Sequence, residues 1–227
     1  MMKHLKAVFF DMDGVLYDSL PSHCLAWKYA AADYGLDIQP SDIYEHEGRT
    51  GDSTINIFTQ RQFHRPATSE EIEKIYARKC EYYSSFPESQ QMDGATELLE
   101  QIRKDGFQII LVTGSGQLSL FDRLKRNFPG IFHWDTMVTS FDVKQGKPNP
   151  EPYLKALHKA GVTAEEAIVV ENAPLGVHAG VAAGIFTIAV NTGPLPDSKL
   201  LNEGANLLFP SLRSLYEHWA EIRSKFA

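Results

Sequence analysis

The sequence predicts an α/β fold built on a mostly parallel sheet, with an all-helical segment inserted after the first strand. Short apolar runs alternate with helical patterns over most of the chain, which is typical of βαβ units. A stretch of roughly 65–70 residues breaks this alternation, because it has helical patterns but no convincing buried strand and is too long for an ordinary loop. At 227 residues the chain can form one large domain, or a core with a smaller insert.

Six apolar runs are predicted to be the strands of the sheet. They are Val8–Phe10, Gln108–Val112, Thr136–Thr139, Ala167–Val170, Ile185–Val190 and, with the weakest pattern, Asn206–Phe209. Helical periodicity follows most of them, at Thr96–Lys104, Leu118–Arg126, Pro150–Lys159, Leu175–Ala183 and Leu212–Lys225. The glycines at positions 176 and 180 indicate close packing of one of these helices against the sheet.

Residues 20–88 are predicted to form a separate helical domain, and residues 1–19 and 89–227 the core domain. The helical patterns of the insert are Ser22–Tyr34, Ser53–Phe63 and Ser69–Ser84. Asp52 and Thr68 are typical of helix starts, since their side chains can accept hydrogen bonds from the free N–H groups of a first turn. Turn-forming residues at both edges of the insert suit a hinge, so the insert could close over the first strand and exclude water.

Composition narrows the class of protein. With 43% hydrophobic and 22% charged residues, the chain has the make-up of an ordinary soluble globular protein. Its net charge of −7 argues against nucleic acid or an anionic membrane as a partner. Cys24 and Cys80 are far apart and not in metal-type spacing, so we expect buried thiols and a reducing, cytoplasmic location. The N-terminus shows no signal-peptide pattern, no apolar stretch is long enough to span a membrane, and we expect a monomer.

The run from residue 7 to residue 16 has the strongest functional signal. A short apolar strand ends in two carboxylates, Asp11 and Asp13, which are followed by Gly14. Open α/β sheets bind ligands beyond the carboxyl ends of their strands. There, one carboxylate can act as a nucleophile or metal ligand while the other transfers protons. A helix N-cap or a solvated turn is the alternative, but three later segments favour the chemical interpretation.

Those later segments each lie at or near the end of a predicted strand. The turn Thr113-Gly114-Ser115-Gly116 can hold a phosphate with side-chain and backbone donors, although a plain helix N-cap is the alternative. Lys147 lies in a proline-rich loop and can neutralise a developing anion, unless it is only an exposed loop lysine. Glu171 and Asn172 offer oxygen ligands that suit a hard cation such as Mg²⁺. Together these segments predict a phosphoryl-transfer site with an aspartate nucleophile.

These four segments resemble the four motifs of the haloacid dehalogenase (HAD) superfamily, in the same order along the chain. The helical insert resembles the cap of the family's β-phosphoglucomutase-like branch. The resemblance therefore implies a Rossmann-like HAD core with an all-helical cap. It also implies catalytic roles for Asp11, Asp13, Thr113 and Lys147.

The resemblance implies a role for each of these residues. Asp11 attacks phosphorus and becomes an aspartyl phosphate, and Asp13 protonates the leaving group and then activates water. Thr113 and Lys147 hold the phosphoryl oxygens. The implied Mg²⁺ binds Asp11, the Asp13 backbone carbonyl and the Glu171-Asn172 segment. Mg²⁺ and a lysine make physical sense here, because a carboxylate attacks an anion only if cations offset the repulsion. Asp13 also excludes the dehalogenase branch, which lacks an acid/base at that position.

The chain departs from the family pattern at Asn172, where an acidic residue is usual. The lost charge should weaken the metal site unless another carboxylate replaces it. Our hypothesis is that Glu47, in the substrate-specificity loop of the insert, reaches into the closed site and binds Mg²⁺; the alternative is a solvated glutamate. Arg49 in the same loop is suited to clamping a distal phosphate, and Ser115 is a further substrate-binding candidate.

Two residues of the insert have both a functional and a structural interpretation. Lys79 matches a substrate-facing lysine of related caps, or is an ordinary surface charge of a helix. His23 lies beside the hinge, where related mutases have a histidine linked to cap closure and proton transfer, or it is a packed helix residue. Both are candidate substrate-binding residues, whereas Trp27, one turn on, is predicted to belong to the core.

The substrate is predicted to be a small phosphorylated compound, and three functions stay open. The first is hydrolysis of a compact phosphate such as inorganic pyrophosphate, because a metal-binding Glu47 would fill the space of a sugar ring. The segments around Glu47, Thr113 and Glu171 also resemble a Bacteroidetes-type inorganic pyrophosphatase subgroup. The second is β-phosphoglucomutase activity, which converts β-glucose 1-phosphate into glucose 6-phosphate. The third, from a different class, is a non-catalytic phosphate-binding protein that has lost strong metal binding at Asn172.

Overall fold

The computed structural model describes residues 4–226, apart from the side chains of residues 118 and 119. Within that range one six-stranded sheet has the order β3-β2-β1-β4-β5-β6, and all neighbouring strands are parallel. The strands are β1 (Ala7–Phe10), β2 (Gln108–Val112), β3 (Met137–Val138), β4 (Ala167–Glu171), β5 (Phe186–Val190) and β6 (Leu207–Phe209). The predicted α/β class and all six predicted strands are therefore confirmed.

Helices cover both faces of this sheet. They are α5 (Ala95–Lys104), α6 (Leu118–Asn127), α7 (Glu151–Ala160), α8 (Pro174–Ala182), α9 (Asp197–Leu201) and α10 (Leu212–Ser224). Short 3₁₀ helices at Trp134–Thr136 and Ala164–Glu166 precede β3 and β4. Side chains of β1 alternate between two apolar clusters, with Val8 and Phe10 in one and Ala7 and Phe9 in the other. Both faces of β1 are thus buried, which explains its continuous apolar run.

The remaining helices form an insert between β1 and β2, which we call the helical insert. It consists of α1 (Leu20–Ala32), α2 (Pro40–His46), α3 (Gly51–Phe63) and α4 (Ser69–Ser85). These helices enclose an apolar cluster of their own that includes Cys24, Trp27, Phe58 and Ile75. The insert therefore has an apolar core of its own, which explains how it can be built from helices without a strand.

The two connections between sheet and helical insert lie side by side. The backbone N–H of Asp18 donates to the carbonyl of Gln90 at 2.9 Å, and the N–H of Met92 donates to the carbonyl of Leu16 at 2.9 Å. Both predicted hinge segments therefore pair with each other. Such a two-stranded connection allows a hinge while it keeps the insert above β1.

Some sequence predictions need correction. The helices α2 and α9 were not predicted, because seven and five residues are too short to show a helical period. Helix α3 begins at Gly51, two residues before the predicted start at Ser53. The Thr50 hydroxyl caps it. Cys24 is buried as expected, but Cys80 is only half-buried, and both are free thiols. In the described part of the chain no helix is long and apolar enough to cross a membrane. Predictions that involve residues 1–3 and 227 lie outside the described residues.

Candidate active site

The predicted motifs converge at the carboxyl edge of the sheet. Asp11 directly follows β1, Thr113 directly follows β2, and Glu171 is the last residue of β4. Strand β1 lies between β2 and β4, so the strand order reverses around it. In open α/β sheets ligands bind in the crevice at this reversal. The topology thus places the three motifs around one point.

Lys147 connects the residues at this edge. Its Nζ donates hydrogen bonds to Asp11 Oδ1 at 2.5 Å, to Glu171 Oε1 at 2.6 Å and to the Val112 carbonyl at 2.9 Å. The side chain is buried, so it is not an exposed loop lysine. Burial opposes its charge, but the carboxylates of Asp11 and Glu171 raise the pKa of Lys147 above its ordinary value. A permanent positive charge therefore lies beside Asp11.

Asp11 and Asp13 have opposite electrostatic environments. Burial raises the pKa of Asp11 to about 8, although Lys147 acts in the other direction. Burial also opposes the ionisation of Asp13, but His23 and Ser19 hold the pKa of that carboxyl below its ordinary value. Asp13 Oδ1 lies 2.6 Å from Ser19 Oγ and 3.0 Å from His23 Nε2. Paired carboxylates with different pKa values are suited to different catalytic roles.

His23 belongs to the helical insert but contacts the core acid. Its ring stacks on Tyr83, with centroids 4.2 Å apart and planes 18° apart. Burial lowers the pKa of His23, and the nearby Lys79 lowers it further, whereas Asp13 acts in the opposite direction. The insert therefore brings a titratable ring within hydrogen-bond distance of Asp13.

The turn after β2 is held by its own side chains. Thr113 Oγ1 accepts a hydrogen bond from the Ser115 N–H at 3.1 Å, and Ser115 Oγ accepts one from the Gln117 N–H at 3.3 Å. The residue that precedes α6 is Gln117, so Thr113 is not an ordinary N-cap. A Cβ at Gly114 would lie 2.7 Å from the backbone oxygens of Gly48 and Arg49, so a glycine lets the insert approach this turn.

Glu47 enters the site from the loop between α2 and α3. Its Oε1 accepts a hydrogen bond from Asn172 Nδ2 at 3.1 Å. Burial raises the pKa of Glu47 well above its ordinary value, and the carboxylate of Asp11 raises it further. Glu47 is thus not a solvated loop residue, since it lies in the site as a carboxyl group that a cation would stabilise.

Asn172, the partner of Glu47, has a second polar atom that is not satisfied. It is buried, and its Oδ1 has no hydrogen-bond partner among the residues that the structure describes. Buried polar atoms without partners are rare and point to a ligand. A carboxylate, an amide oxygen and a backbone carbonyl form a donor set that fits a hard cation. Residues 4–226 contain no cluster of three or more His, Cys, Asp and Glu side chains that could hold a metal, so any metal here relies on this mixed set.

Two cationic residues of the insert face the same cavity. Lys79 is buried, and its Nζ lies 5.6 Å from the ring centroid of Trp27 and 5.2 Å from that of Tyr83. It is therefore not an ordinary surface charge, and burial lowers its pKa. Arg49 donates to Ser53 Oγ at 3.2 Å, while its buried Nε has no partner among the described residues. Both side chains have capacity left for an anion.

These groups enclose a cavity of about 70 Å³ between sheet and helical insert. Eight predicted site residues line it: Asp11, Asp13, His23, Glu47, Arg49, Lys79, Thr113 and Ser115. The other three, Lys147, Glu171 and Asn172, do not line it but are hydrogen-bonded to residues that do or to each other. The structure thus assembles the predicted site residues into one network.

Sequence reasoning missed several residues of this network. Ser19 donates to Asp13, Tyr153 donates to Glu171 Oε1 at 2.8 Å, and Tyr76 accepts from the Gly116 N–H at 3.3 Å. Ser19 lies in the turn-forming segment of the predicted hinge, and this position could have identified it as a candidate site residue. Tyr76 and Tyr153 have the appearance of apolar helix residues, so nothing in the local pattern could have identified them.

The sheet order and the two aspartates that follow β1 define an α/β enzyme whose site lies at the carboxyl edge of a parallel sheet. The chain belongs to the haloacid dehalogenase-like hydrolase family, whose model matches residues 8–190. This confirms the family that the motifs resemble and explains why all four occur in register.

Similar proteins place the chain within this family. Hexitol phosphatase A of Escherichia coli is 33% identical over 212 residues, which cover 92% of this chain and 93% of that protein. The β-phosphoglucomutase of Bacillus subtilis is 28% identical over 96% of this chain and 97% of its own length. A solved Bacteroides vulgatus structure, provisionally described as a β-phosphoglucomutase, is 54% identical with a TM-score of 0.95, covering 99% of this chain and 91% of that one. The chain is an enzyme of the phosphatase and phosphotransferase type, in the β-phosphoglucomutase-like branch.

Proposed function

We propose that this protein is a Mg²⁺-dependent phosphohydrolase that uses Asp11 as nucleophile on a compact substrate, with inorganic pyrophosphate as the preferred candidate. The observation that carries the proposal is the position of Glu47, which lines the small cavity above β1 and accepts a hydrogen bond from Asn172 at the end of β4. Glu47 supplies the charge that an amide at position 172 lacks, and it occupies space that a larger substrate would need.

Four groups of this chain are suited to hold the Mg²⁺ ion. They are the carboxylates of Asp11 and Glu47, the unpaired Asn172 Oδ1 and the backbone carbonyl of Asp13. The raised pKa values of Asp11 and Glu47 fit this assignment, since crowded buried carboxyls are easier to ionise beside a cation. When bound, Mg²⁺ would neutralise negative charge on the phosphoryl group and let a carboxylate approach it.

Asp11 is positioned as the nucleophile. One of its oxygens, Oδ1, accepts from Lys147, which leaves Oδ2 to attack phosphorus. The new bond joins Asp11 to phosphorus as an aspartyl phosphate, while the bond from phosphorus to the leaving oxygen breaks. Lys147, Thr113 and Ser115 lie beside Asp11 and can stabilise the equatorial phosphoryl oxygens.

Asp13 and His23 together are positioned to manage protons. The first step requires a proton on the leaving oxygen. Asp13 Oδ1 and His23 Nε2 lie 3.0 Å apart, and this pair can supply the proton when one further proton is bound to it. In the second step Asp13 removes a proton from water, whose oxygen attacks phosphorus and releases phosphate and free Asp11.

The cavity favours a small substrate with two charged ends. Its volume of about 70 Å³ is well below the roughly 300–1,000 Å³ of sites that enclose drug-sized ligands. Arg49 and Lys79 of the insert and Thr113 and Ser115 of the sheet line this one cavity, so it offers cationic and donor groups to more than one phosphoryl group. This arrangement supports pyrophosphate over a sugar phosphate.

β-Phosphoglucomutase activity is the second candidate, favoured by His23, Arg49 and Lys79 at the cavity and by the names of two similar proteins. The test measures Mg²⁺-dependent phosphate release from pyrophosphate beside conversion of β-glucose 1-phosphate to glucose 6-phosphate with a bisphosphate primer. Fast release with negligible isomerisation supports the hydrolase. Efficient isomerisation with little free phosphate identifies a mutase instead. A monomeric cytoplasmic enzyme remains our prediction.

A further inference from the structure

We propose that Tyr153 is a positioning residue that acts through Glu171, and that it allows Lys147 to transfer a hydrogen bond from Glu171 to the substrate's phosphoryl group. The proposal rests on the proposed phosphoryl-transfer function, because it concerns how Lys147 becomes available to a phosphate. It also gives Glu171 a role other than direct metal binding.

Lys147 has no hydrogen-bonding capacity left in the structure. A lysine ammonium has three N–H donors and no acceptor. All three are used, by Asp11 Oδ1, Glu171 Oε1 and the Val112 carbonyl. Binding of a phosphoryl oxygen therefore requires Lys147 to release one acceptor. The Val112 carbonyl belongs to the rigid strand β2 and Asp11 must stay close to the reacting phosphorus, so Glu171 is the partner that can be released.

Glu171 can be released only if its carboxylate stays satisfied. Its Oε2 accepts from the backbone N–H groups of Asn172 at 3.0 Å and Ala173 at 3.2 Å. Its Oε1 accepts from both Lys147 Nζ and, at 2.8 Å, the Tyr153 hydroxyl. Glu171 is fully buried, and a buried charge without donors is strongly unfavourable. The Tyr153 hydroxyl keeps Oε1 bonded after Lys147 has turned away.

The surrounding packing makes Lys147 the mobile partner. Tyr153 is fully buried in α7 and belongs to the same apolar cluster as Phe9. A Cβ at Gly176 would lie only 1.8 Å from Glu171 Oε1, so the carboxylate fills all the space below α8. Burial raises the pKa of Tyr153 well above its ordinary value, so its hydroxyl remains a donor at neutral pH. Glu171 and Tyr153 are thus fixed by their surroundings. Lys147 is buried as well, but its four-carbon stem is the longest and most flexible of the three side chains, so a change of partner falls to its Nζ.

This network also separates two interpretations of Glu171. Both of its oxygens are occupied, by four donors in total. A direct metal ligand would need to exchange some of these donors for the ion. An anchor for Lys147 needs only the arrangement that the structure shows. Removal of the Tyr153 hydroxyl should therefore affect phosphate binding, and should leave the Mg²⁺ requirement unchanged.

The experiment compares wild type with Tyr153→Phe, which removes only the hydroxyl. Without it, Glu171 Oε1 relies on Lys147 alone and holds it more tightly. At saturating Mg²⁺ we expect inorganic phosphate to bind about tenfold more weakly, as measured by calorimetry, since hydrogen bonds to charged groups have effects of this size. The half-saturating Mg²⁺ concentration for phosphate binding should stay close to that of wild type, because the Tyr153 hydroxyl bonds to Glu171 and to none of the four groups assigned to the ion.

Two results would overturn the proposal. One is unchanged phosphate affinity in Tyr153→Phe, whether or not its melting temperature falls, because a purely structural role predicts that pattern. The other is a parallel rise in the Mg²⁺ requirement, which would return Glu171 to the metal site. Tyr216→Phe on α10, remote from the site, is the matched control and should change neither quantity. Phosphate binding needs no turnover, so a failure of pyrophosphate hydrolysis in wild type would be a separate result that rejects the proposed substrate alone.

Discussion

Glu47 Oε1 and Asn172 Nδ2 form a 3.1 Å hydrogen bond that joins the helical insert to the end of β4. The amide of Asn172 can donate with its nitrogen and still keep Oδ1 unpaired. An aspartate at position 172 could not donate in this way and would repel Glu47. Asn172 and Glu47 are therefore two parts of one arrangement. Their hydrogen bond favours a closed insert, and Asn172 Oδ1 stays available as an oxygen ligand.

The first prediction concerns Glu47→Gln. Loss of this carboxylate removes a negative charge beside Asp11, so we expect the half-saturating Mg²⁺ concentration to rise by at least about tenfold. The measurement is a Mg²⁺ titration of phosphate release. Glu45→Gln is the matched control, because Glu45 is an exposed neighbour whose carboxylate accepts from Lys199 at 3.3 Å. An unchanged titration for Glu47→Gln would reject its role at the metal.

The second prediction uses position 172 to restore the lost charge. In the Glu47→Gln background, Asn172→Asp supplies a carboxylate at the end of β4, and the amide introduced at position 47 can donate a hydrogen bond to it. We expect the double variant to recover most of the lost Mg²⁺ affinity, and the effects of the two substitutions to be strongly non-additive. If the double variant is as weak as Glu47→Gln or weaker, the two positions do not share one cation.

Much of the fold could be predicted from the sequence because the periodic signals were strong. All six strands are buried, or partly buried, apolar runs, and the core motifs lie at the ends of three of them. Helix α4 begins at Ser69 with Thr68 as its N-cap, as the capping pattern indicates. The two short helices α2 and α9 were missed because their stability comes from tertiary packing rather than from an amphipathic period.

The candidate site was predicted less completely. Asp11 and Thr113 could be identified because each is a polar residue directly after an apolar strand. Lys147 could be identified because it lies in a proline-rich loop. Tyr76 and Tyr153 could not, since an aromatic residue in a helix ordinarily indicates core packing. Their hydroxyl partners, Gly116 and Glu171, lie 40 and 18 residues away in the chain. Only the folded arrangement shows such long-range hydrogen bonds.

The third prediction tests the covalent route. Asp11→Asn keeps the size of the side chain and removes the attacking carboxylate, so kcat should fall by about 10⁴-fold or more. Asp13→Asn removes proton transfer, and its loss should be about 10²–10⁴-fold. Steady-state phosphate release measures both. Substantial activity in Asp11→Asn would reject an aspartyl phosphate altogether.

The fourth prediction concerns pH and stability without metal. The pKa of Asp11 is raised from 3.8 to about 8 in the folded protein, so the folded state holds this proton more tightly than the unfolded state does. Its stabilising contribution is complete below about pH 4 and is lost as the pH rises through about 8. In EDTA, the melting temperature of wild type relative to Asp11→Asn should therefore fall from pH 6 to pH 8.

The size of this fall can be estimated, and Mg²⁺ provides its control. A change of about 1–2 kcal/mol corresponds to roughly 2–8 °C for a chain of this length. Comparison with Asp11→Asn cancels the contribution of His23, whose pKa is lowered and which acts in the opposite direction. Added Mg²⁺ should remove the fall, because it stabilises the ionised carboxyls. A difference in melting temperature that does not vary with pH would show that Asp11 titrates normally.

The fifth prediction concerns Tyr76, which separates the small cavity from a larger outer cleft. Its side chain lines both the 70 Å³ cavity and an adjoining cleft of about 920 Å³. Its hydroxyl accepts from the Gly116 N–H, and a Cβ at Gly51 would lie 2.3 Å from its ring. Gly51 thus makes room for the ring, and together with Arg49 and Gly51 the ring lies at the boundary between the two spaces.

Removal of this ring should broaden the range of substrates. In Tyr76→Ala we expect hydrolysis of hexitol and hexose phosphates to rise relative to pyrophosphate by about tenfold or more, because the cavity then opens into the cleft. Tyr76→Phe keeps the ring and loses the hydrogen bonds of the hydroxyl to Gly116 and Ser115, so it is the matched control and should keep the same ratio of activities as wild type. Ratios of kcat/KM for the two substrate classes measure the effect. An equal loss toward both substrates in Tyr76→Ala would mean that the ring supports the site without selecting by size, and the proposed preference for a compact substrate would then have to rest on Glu47.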